Sequence, residues 1–172
     1  MKVSCALVWA AAIWAVSATS GFAAKETPVT TSGLPIPRYV SLKSDHVNVR
    51  AGPTRENELS WIFTRSGLPV EITAEFENWR RIRDSEGAEG WVYHSLLSGR
   101  RTAVVTMKDK DALAPIYDRA DATGNVAARL QAGVVAQVKR CLNGWCRVIG
   151  TGFDGWIEQQ RLWGVYADEK LD

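Results

Sequence analysis

Apolar and polar residues alternate through residues 69–76: Val70, Ile72, Ala74 and Phe76 against Glu71, Thr73 and Glu75. A period of two is that of a half-buried β-strand. Glu77 and Asn78 supply a tight turn, residues 79–84 read as the returning strand, and Ser85, Glu86 and Gly87 turn the chain again. A third short strand follows at Gly90, Trp91, Val92 and Tyr93, where Gly90 allows close backbone approach beside a large indole. Upstream, the strand Val47, Asn48, Val49, Arg50 leads into a turn at 51–54, a polar loop at 55–60, and Trp61, Ile62 and Phe63.

The same pattern returns at residues 133–162. Gly67 matches Gly133, Asn78 and Trp79 match Gly144 and Trp145, and Ile82 matches Val148, all at a spacing of 66. Gly90, Trp91 and Val92 then match Gly155, Trp156 and Ile157 at a spacing of 65, and Leu97 matches Leu162. A repeat on this scale means two copies of one small domain. Their spans read as 39–98 and 102–166, with Gly99, Arg100 and Arg101 as the joint and 167–172 as a frayed tail. No segment carries a sustained helical period. Short strands with frequent turns predict an all-β class, built as small barrels.

Residues 1–23 have one positive charge, Lys2, an apolar run from about Val3 to about Val16, and a small-residue region ending at Ala23. This reads as a secretory signal peptide, and the run is shorter than the ~20 residues that span a bilayer. No stable membrane insertion is expected after cleavage. Residues 24–38, rich in Thr, Ser, Pro and Gly, read as a flexible linker. Cleavage removes Lys2, so a formal charge of +2 becomes +1. A near-neutral chain offers no argument for nucleic acid.

Two cysteines remain after cleavage, Cys141 and Cys146. With Asn143 and Gly144 as a two-residue hairpin turn, Leu142 faces Trp145 and Cys141 faces Cys146 in the register where Cβ atoms come closest. A disulfide is the expected outcome in an oxidising compartment. Two thiols without a neighbouring histidine make a poor metal site. The first copy places Glu75 and Arg80 at the equivalent positions, predicting an exposed ion pair that contributes under ~1 kcal/mol.

One conflict stands in the pattern. Strict pairing across Glu77 and Asn78 puts Trp79 on the face of Val70 and Ile72 but leaves Ile82 on the other. Trp145 and Val148 repeat the problem. Either a bulge lies between the tryptophan and the aliphatic residue, or one member of each pair faces outward and the tryptophans become candidates for ligand contact.

VNVRAGP at 47–53, the ENW turn and EGWV at 89–92 resemble the bacterial SH3-like family, in the tandem periplasmic form found in Gram-negative bacteria. The resemblance implies barrels of about five strands, and a targeting role toward peptidoglycan or its peptides. The second copy departs at Leu113, Ala114, Pro115, Ile116 and Tyr117, so a site built on Arg50 does not transfer to it.

An enzyme is disfavoured. His46 and His94 sit in no recognisable motif, the cysteines are explained as a bridge, and no carboxylate pair suggests acid–base work. No catalytic residue, metal or cofactor is assigned. A non-catalytic binding module is the preferred reading, with an aromatic-lined groove for an extended peptide. Its candidate ligand residues are Arg50, Trp61, Trp79, Tyr93 and Trp145. Trp91 and Trp156 are expected to be chiefly structural. Arg50 stands either to meet a carboxylate of a stem peptide or to pair with Glu71 or Glu75. The expected partner is peptidoglycan or a cell-wall peptide; the alternative is an envelope protein for which the chain acts as a periplasmic scaffold.

Overall fold

The computed structural model describes residues 30–109 and 111–172. The signal-peptide reading at 1–23 and the first part of the linker, 24–29, lie outside the described residues. The first copy is one antiparallel sheet of β1 (Arg38–Leu42), β2 (Val47–Arg50), β3 (Leu59–Phe63), β4 (Pro69–Phe76), β5 (Trp79–Arg83), β6 (Glu89–Tyr93) and β7 (Leu97–Ser98). The second comprises β8 (Thr102–Val105), β9 (Leu113–Tyr117), β10 (Val126–Gln131), β11 (Val135–Leu142), β12 (Trp145–Gly150), β13 (Phe153–Glu158) and β14 (Leu162–Trp163).

Strand order is β3-β2-β6-β5-β4-β1-β7 in the first sheet and β10-β9-β13-β12-β11-β8-β14 in the second. These are the same topology, strand for strand. Single turns of 3-10 helix at His94–Leu96 and Gln159–Arg161 occupy matching places. The count is seven strands per sheet rather than about five. A two-residue strand such as β7 or β14, which closes each copy after its 3-10 turn, is too short to leave a periodic signal.

Each sheet curls around its own core. The first buries Leu42, Val47, Val49, Val70, Ile72, Ile82 and Val92. The second buries Ile116, Val138, Val148 and Ile157 together with both cysteines. Val47 and Val49, or Gly90 and Val92, point inward because alternate residues of a strand share a face.

The register conflict is resolved by a bulge, and the bulge lies on the first strand of each hairpin. Ile72 pairs with Ile82 and Ala74 with Arg81, leaving Thr73 unpaired between them. Val138 pairs with Val148 and Arg140 with Arg147, leaving Lys139 as its counterpart. The extra residue reverses the alternation. Ile82 therefore joins the core with Ile72, while Phe76 and Arg81 are exposed on the outer face and Trp79, on that same face, is covered to 8% exposure.

The same reversal carries Glu75 and Arg80 inward. The expectation of an exposed ion pair there is overturned: the Glu75 side chain is 1% exposed, 3.1 Å from Arg80 Nε and 2.5 Å from Arg38 Nη2. Ser32 adds a backbone amide and a hydroxyl, each 2.8 Å from a Glu75 oxygen. Residues 30–38 are thus docked on the first barrel, and β1 begins at Arg38. At the matching position of the second barrel, Cys141 and Cys146 form a disulfide with Cα atoms 4.1 Å apart, buried in the core. Asn143 and Gly144 turn the hairpin with φ of 51° and 79°, the left-handed pair of a type I′ turn.

The tail does not fray. Leu171 exchanges two backbone hydrogen bonds with Cys141, of 3.0 and 2.9 Å, and packs on the second core. The two barrels also touch directly. Thr102 Oγ1 donates to the Gly67 carbonyl at 2.7 Å and lies 2.7 Å from the Ser41 hydroxyl. Tyr39 packs its ring against Trp163 and Tyr166, at centroid distances of 5.1 and 4.7 Å.

Candidate functional site

The outer face of β2, β6 and β5 is where the first barrel gathers its unsatisfied polar and aromatic groups. Asn48 and Arg50 alternate with two buried valines, Tyr93 follows buried Val92, and Trp79 is turned out by the bulge. With Arg55 from the loop and Ser95 and Leu96 from the 3-10 turn, they line a cleft of about 410 Å³. Trp79 and Tyr93 are cross-strand partners, their rings edge to face at 5.5 Å. The Arg55 guanidinium sits 5.9 Å from the centre of the Tyr93 ring.

Arg50 makes neither of the two ion pairs open to it in the sequence. Glu71 is taken by Arg83 and Tyr166, and Glu75 by Arg38 and Arg80. Arg50 pairs with neither, and instead donates to the Asn57 carbonyl at 2.7 Å. Among the described residues neither Arg50 nor Arg55 makes an ion pair. Asn48 Oδ1 is buried in the same wall without a hydrogen-bond partner. The cleft thus combines an aromatic pair with two guanidiniums held in no ion pair, with the Glu56 carboxylate near enough to feel both charges and the Asn48 carbonyl oxygen open as an acceptor.

Of the five predicted ligand residues, the structure brings Arg50, Trp79 and Tyr93 together. Trp61 lies apart: it pairs with Val49 and packs on the core beside Phe63. Trp145 belongs to the second barrel, edge to face with Tyr117 at 5.6 Å. Trp91 and Trp156, expected to be chiefly structural, join neither core. Both are half-buried on the outer face because each precedes an inward residue, Val92 or Ile157. Arg55 and Asn48 escaped the sequence reading. Asn48 was accessible to it as the polar residue between two core valines, whereas Arg55 reaches the cleft by a loop path with no period.

Among the described residues no three of His, Cys, Asp and Glu are grouped to hold a metal ion. Among the described residues no histidine or carboxylate is hydrogen-bonded to Ser95, which lines the cleft with Tyr93.

The sequence profile described as bacterial SH3 domain matches the chain twice, at residues 43–99 and 110–164. The chain belongs to the bacterial SH3 domain family. Both matches fall within the two sheets, so this is a tandem bacterial SH3 protein. No curated protein matches it. Among solved structures it is similar to NlpC2 from Trichomonas vaginalis, at 14% identity and a TM-score of 0.31, over 74% of this chain and 48% of that one. It is similar to NlpC1 from the same organism at 16% identity and a TM-score of 0.30, over 83% of this chain and 50% of that one. The chain spans about half the length of these two proteins.

Proposed function

We propose that this tandem bacterial SH3 protein is an exported, non-catalytic binding module that recognises peptidoglycan or its peptides in the envelope, in the periplasm. The observation that carries this reading is the first barrel's cleft, in which Arg50 and Arg55 flank the Trp79–Tyr93 pair and, among the described residues, neither is held in an ion pair, the Glu56 carboxylate acting on them only through space. A guanidinium left unpaired beside an aromatic ledge is suited to a carboxylate-bearing peptide lying across it. The signal-like pattern at 1–23 and the Cys141–Cys146 disulfide support export to an oxidising compartment. A binding rather than catalytic role is supported by the cysteines being consumed in that bridge and by Ser95 lacking a base.

The test is co-sedimentation of the mature protein with purified sacculi. The expected result is pelleting that Arg50→Ala and Trp79→Ala each weaken by about tenfold, the loss of one good contact. A protein that stays in the supernatant, while periplasmic extract yields one defined protein partner, would overturn wall binding in favour of a scaffold. That second reading draws on the edge strand β3, which leaves Leu59 and Ile62 exposed beside its unpaired backbone.

A further inference from the structure

The second barrel has its own cleft, of about 530 Å³, built around the equivalent tryptophan. The two clefts share three matching positions: Trp79 and Trp145, Tyr93 and Glu158, Ser95 and Gln160. Strand pairing fixes the correspondence, since Trp79 faces Tyr93 across β5 and β6 as Trp145 faces Glu158 across β12 and β13. From there they diverge. The first opens over β2 toward two arginines, and the second opens toward the C-terminal segment and Asp168. Tyr117 stands where the first barrel has Arg50, each paired with the outward tryptophan of the neighbouring strand. Cation and aromatic in the first barrel have become aromatic and carboxylate in the second.

Among the described residues no Lys or Arg lines the second cleft, although Arg161 pairs with its Glu158. Glu158 is ion-paired with Arg161 through Oε2 at 2.6 Å and accepts from Gln160 at 3.3 Å on the same oxygen, while among the described residues Oε1 accepts no hydrogen bond. A separate observation points the same way. Gln159 lines the cleft at 5% exposure, and its Oε1 has no hydrogen-bond partner. Its amide cannot turn to hide this, because Nε2 already donates to the carbonyls of Tyr166 and Glu169 at 2.6 and 3.1 Å. A buried acceptor held open is costly unless a donor arrives.

From this opposition we propose that the second cleft takes a primary ammonium group, of the kind borne on the side chain of a lysine-like residue in an extended peptide. Glu158 offers its open Oε1 while Arg161 holds the other oxygen, Gln159 Oε1 accepts one N–H, Asp168 supplies negative charge at the rim, and the Trp145 face receives the cation. The tandem then reads the two ends of a zwitterionic ligand class, acid in one barrel and amine in the other. This rests on the reading of the chain as a binding module, and extends it to the chemistry of the second barrel.

The test is an NMR titration of the mature protein, following the indole N–H signals, with Nα-acetyl-lysine methylamide and with its Nε-acetylated counterpart. The expected result is a saturable shift at Trp145 with the amine alone. Glu158→Gln should weaken it at least about tenfold, the size of one charge-assisted hydrogen bond. Asp168→Asn should weaken it less, and Asn tolerates the left-handed backbone there, φ 60°. Arg50→Ala should leave it unchanged. No saturable shift at Trp145, an equal shift with the acetylated probe, or indifference to Glu158→Gln would each overturn the proposal. Sacculus binding that needs Arg50 without an amine response at Trp145 sinks this inference alone; an amine response without sacculus binding sinks the wall reading alone.

Discussion

Tyr166 of the second barrel donates its phenolic hydrogen bond to Glu71 Oε1 of the first, at 2.9 Å. Glu71 is buried, and its other oxygen is held by Arg83. The carboxylate is therefore shared between an ion pair inside one barrel and a hydrogen bond from the other. Tyr39, stacked on Tyr166, completes the joint. Burial first, then the Glu71 hydrogen bond and charge, pushes the Tyr166 hydroxyl well above the ordinary tyrosine range. Burial and the Glu71 charge push Tyr39 up to about 12.

A phenol whose folded pKa lies above its unfolded value, ~10, stabilises fully below that value. The contribution is lost as pH rises through the folded value. The joint between the barrels should hold to about pH 10 and fail on further titration. Tyrosinate absorbance should lag, and its last rise should coincide with loss of near-ultraviolet dichroism. Tyr166→Phe leaves Glu71 Oε1 buried and unpaired, which costs about 1–3 kcal/mol. Urea denaturation at pH 7 measures that loss. Identical stability in the variant would show that the contact contributes nothing.

Glu75 sets the acid limit. Burial raises its pKa, but the Arg38 guanidinium and the Ser32 amide and hydroxyl more than reverse this, holding it at about 2. A depressed carboxyl stabilises above its unfolded value and is lost as pH falls through its folded value. Stability of the first barrel should decline between roughly pH 4.5 and pH 2. Glu75→Gln leaves Arg38 and Arg80 facing each other without a counter-ion, at a cost of about 3 kcal/mol at neutral pH. Thermal unfolding should show a large gap between variant and wild type at pH 7 that closes near pH 2. A gap of the same size at both would refute the assignment.

How much of this was legible follows from the range of each signal. The 66-residue spacing exposed both barrels, because repeats need no knowledge of contacts. The disulfide was legible because a two-residue turn fixes which residues face each other. Burial of Glu75 was not: its partners Arg38 and Ser32 come from a stretch whose Pro, Ser and Thr content reads as linker. The bulges at Thr73 and Lys139 left only a contradiction in the pattern, which did not decide whether the tryptophan or the aliphatic residue of each pair faces outward. Likewise, nothing local marks Leu171 as the partner of Cys141, since a single bridged residue has no period.

The disulfide closes a loop of few residues, so chain entropy accounts for only about 2 kcal/mol. Its environment decides the rest. Both sulfur atoms lie in the second core, so the way the pair is removed should matter. Replacing both cysteines with alanine should cost about 2 kcal/mol or somewhat more. Replacing both with serine should cost a further 1–3 kcal/mol, because two hydroxyls are then buried among apolar groups. Urea denaturation of the two double variants checks the order; serine equal to or more stable than alanine would place the pair outside the core.

Gly90 and Gly155 mark the place where β6 crosses β2 and β13 crosses β9. Each crossing is held by a single residue pair, Arg50 with Trp91 and Tyr117 with Trp156. A Cβ on Gly155 would lie 2.8 Å from the Tyr117 carbonyl, and a backbone oxygen has no rotamer by which to move aside. A Cβ on Gly90 would collide with a Val49 methyl in the core, with the Arg50 carbonyl and the Trp61 ring each 3.1 Å away. Either alanine must push its strands apart, at about 1–3 kcal/mol. The consequences for ligands differ, because the cleft over β2 and β6 depends on Arg50 standing at a fixed distance from Tyr93. Gly90→Ala should therefore weaken sacculus binding through the Arg50 cleft in addition to lowering stability, whereas Gly155→Ala should lower stability and leave the Arg50-dependent part of that binding intact. Unchanged sacculus binding by Gly90→Ala, at matched stability, would show that ligand contact does not reside in the first barrel.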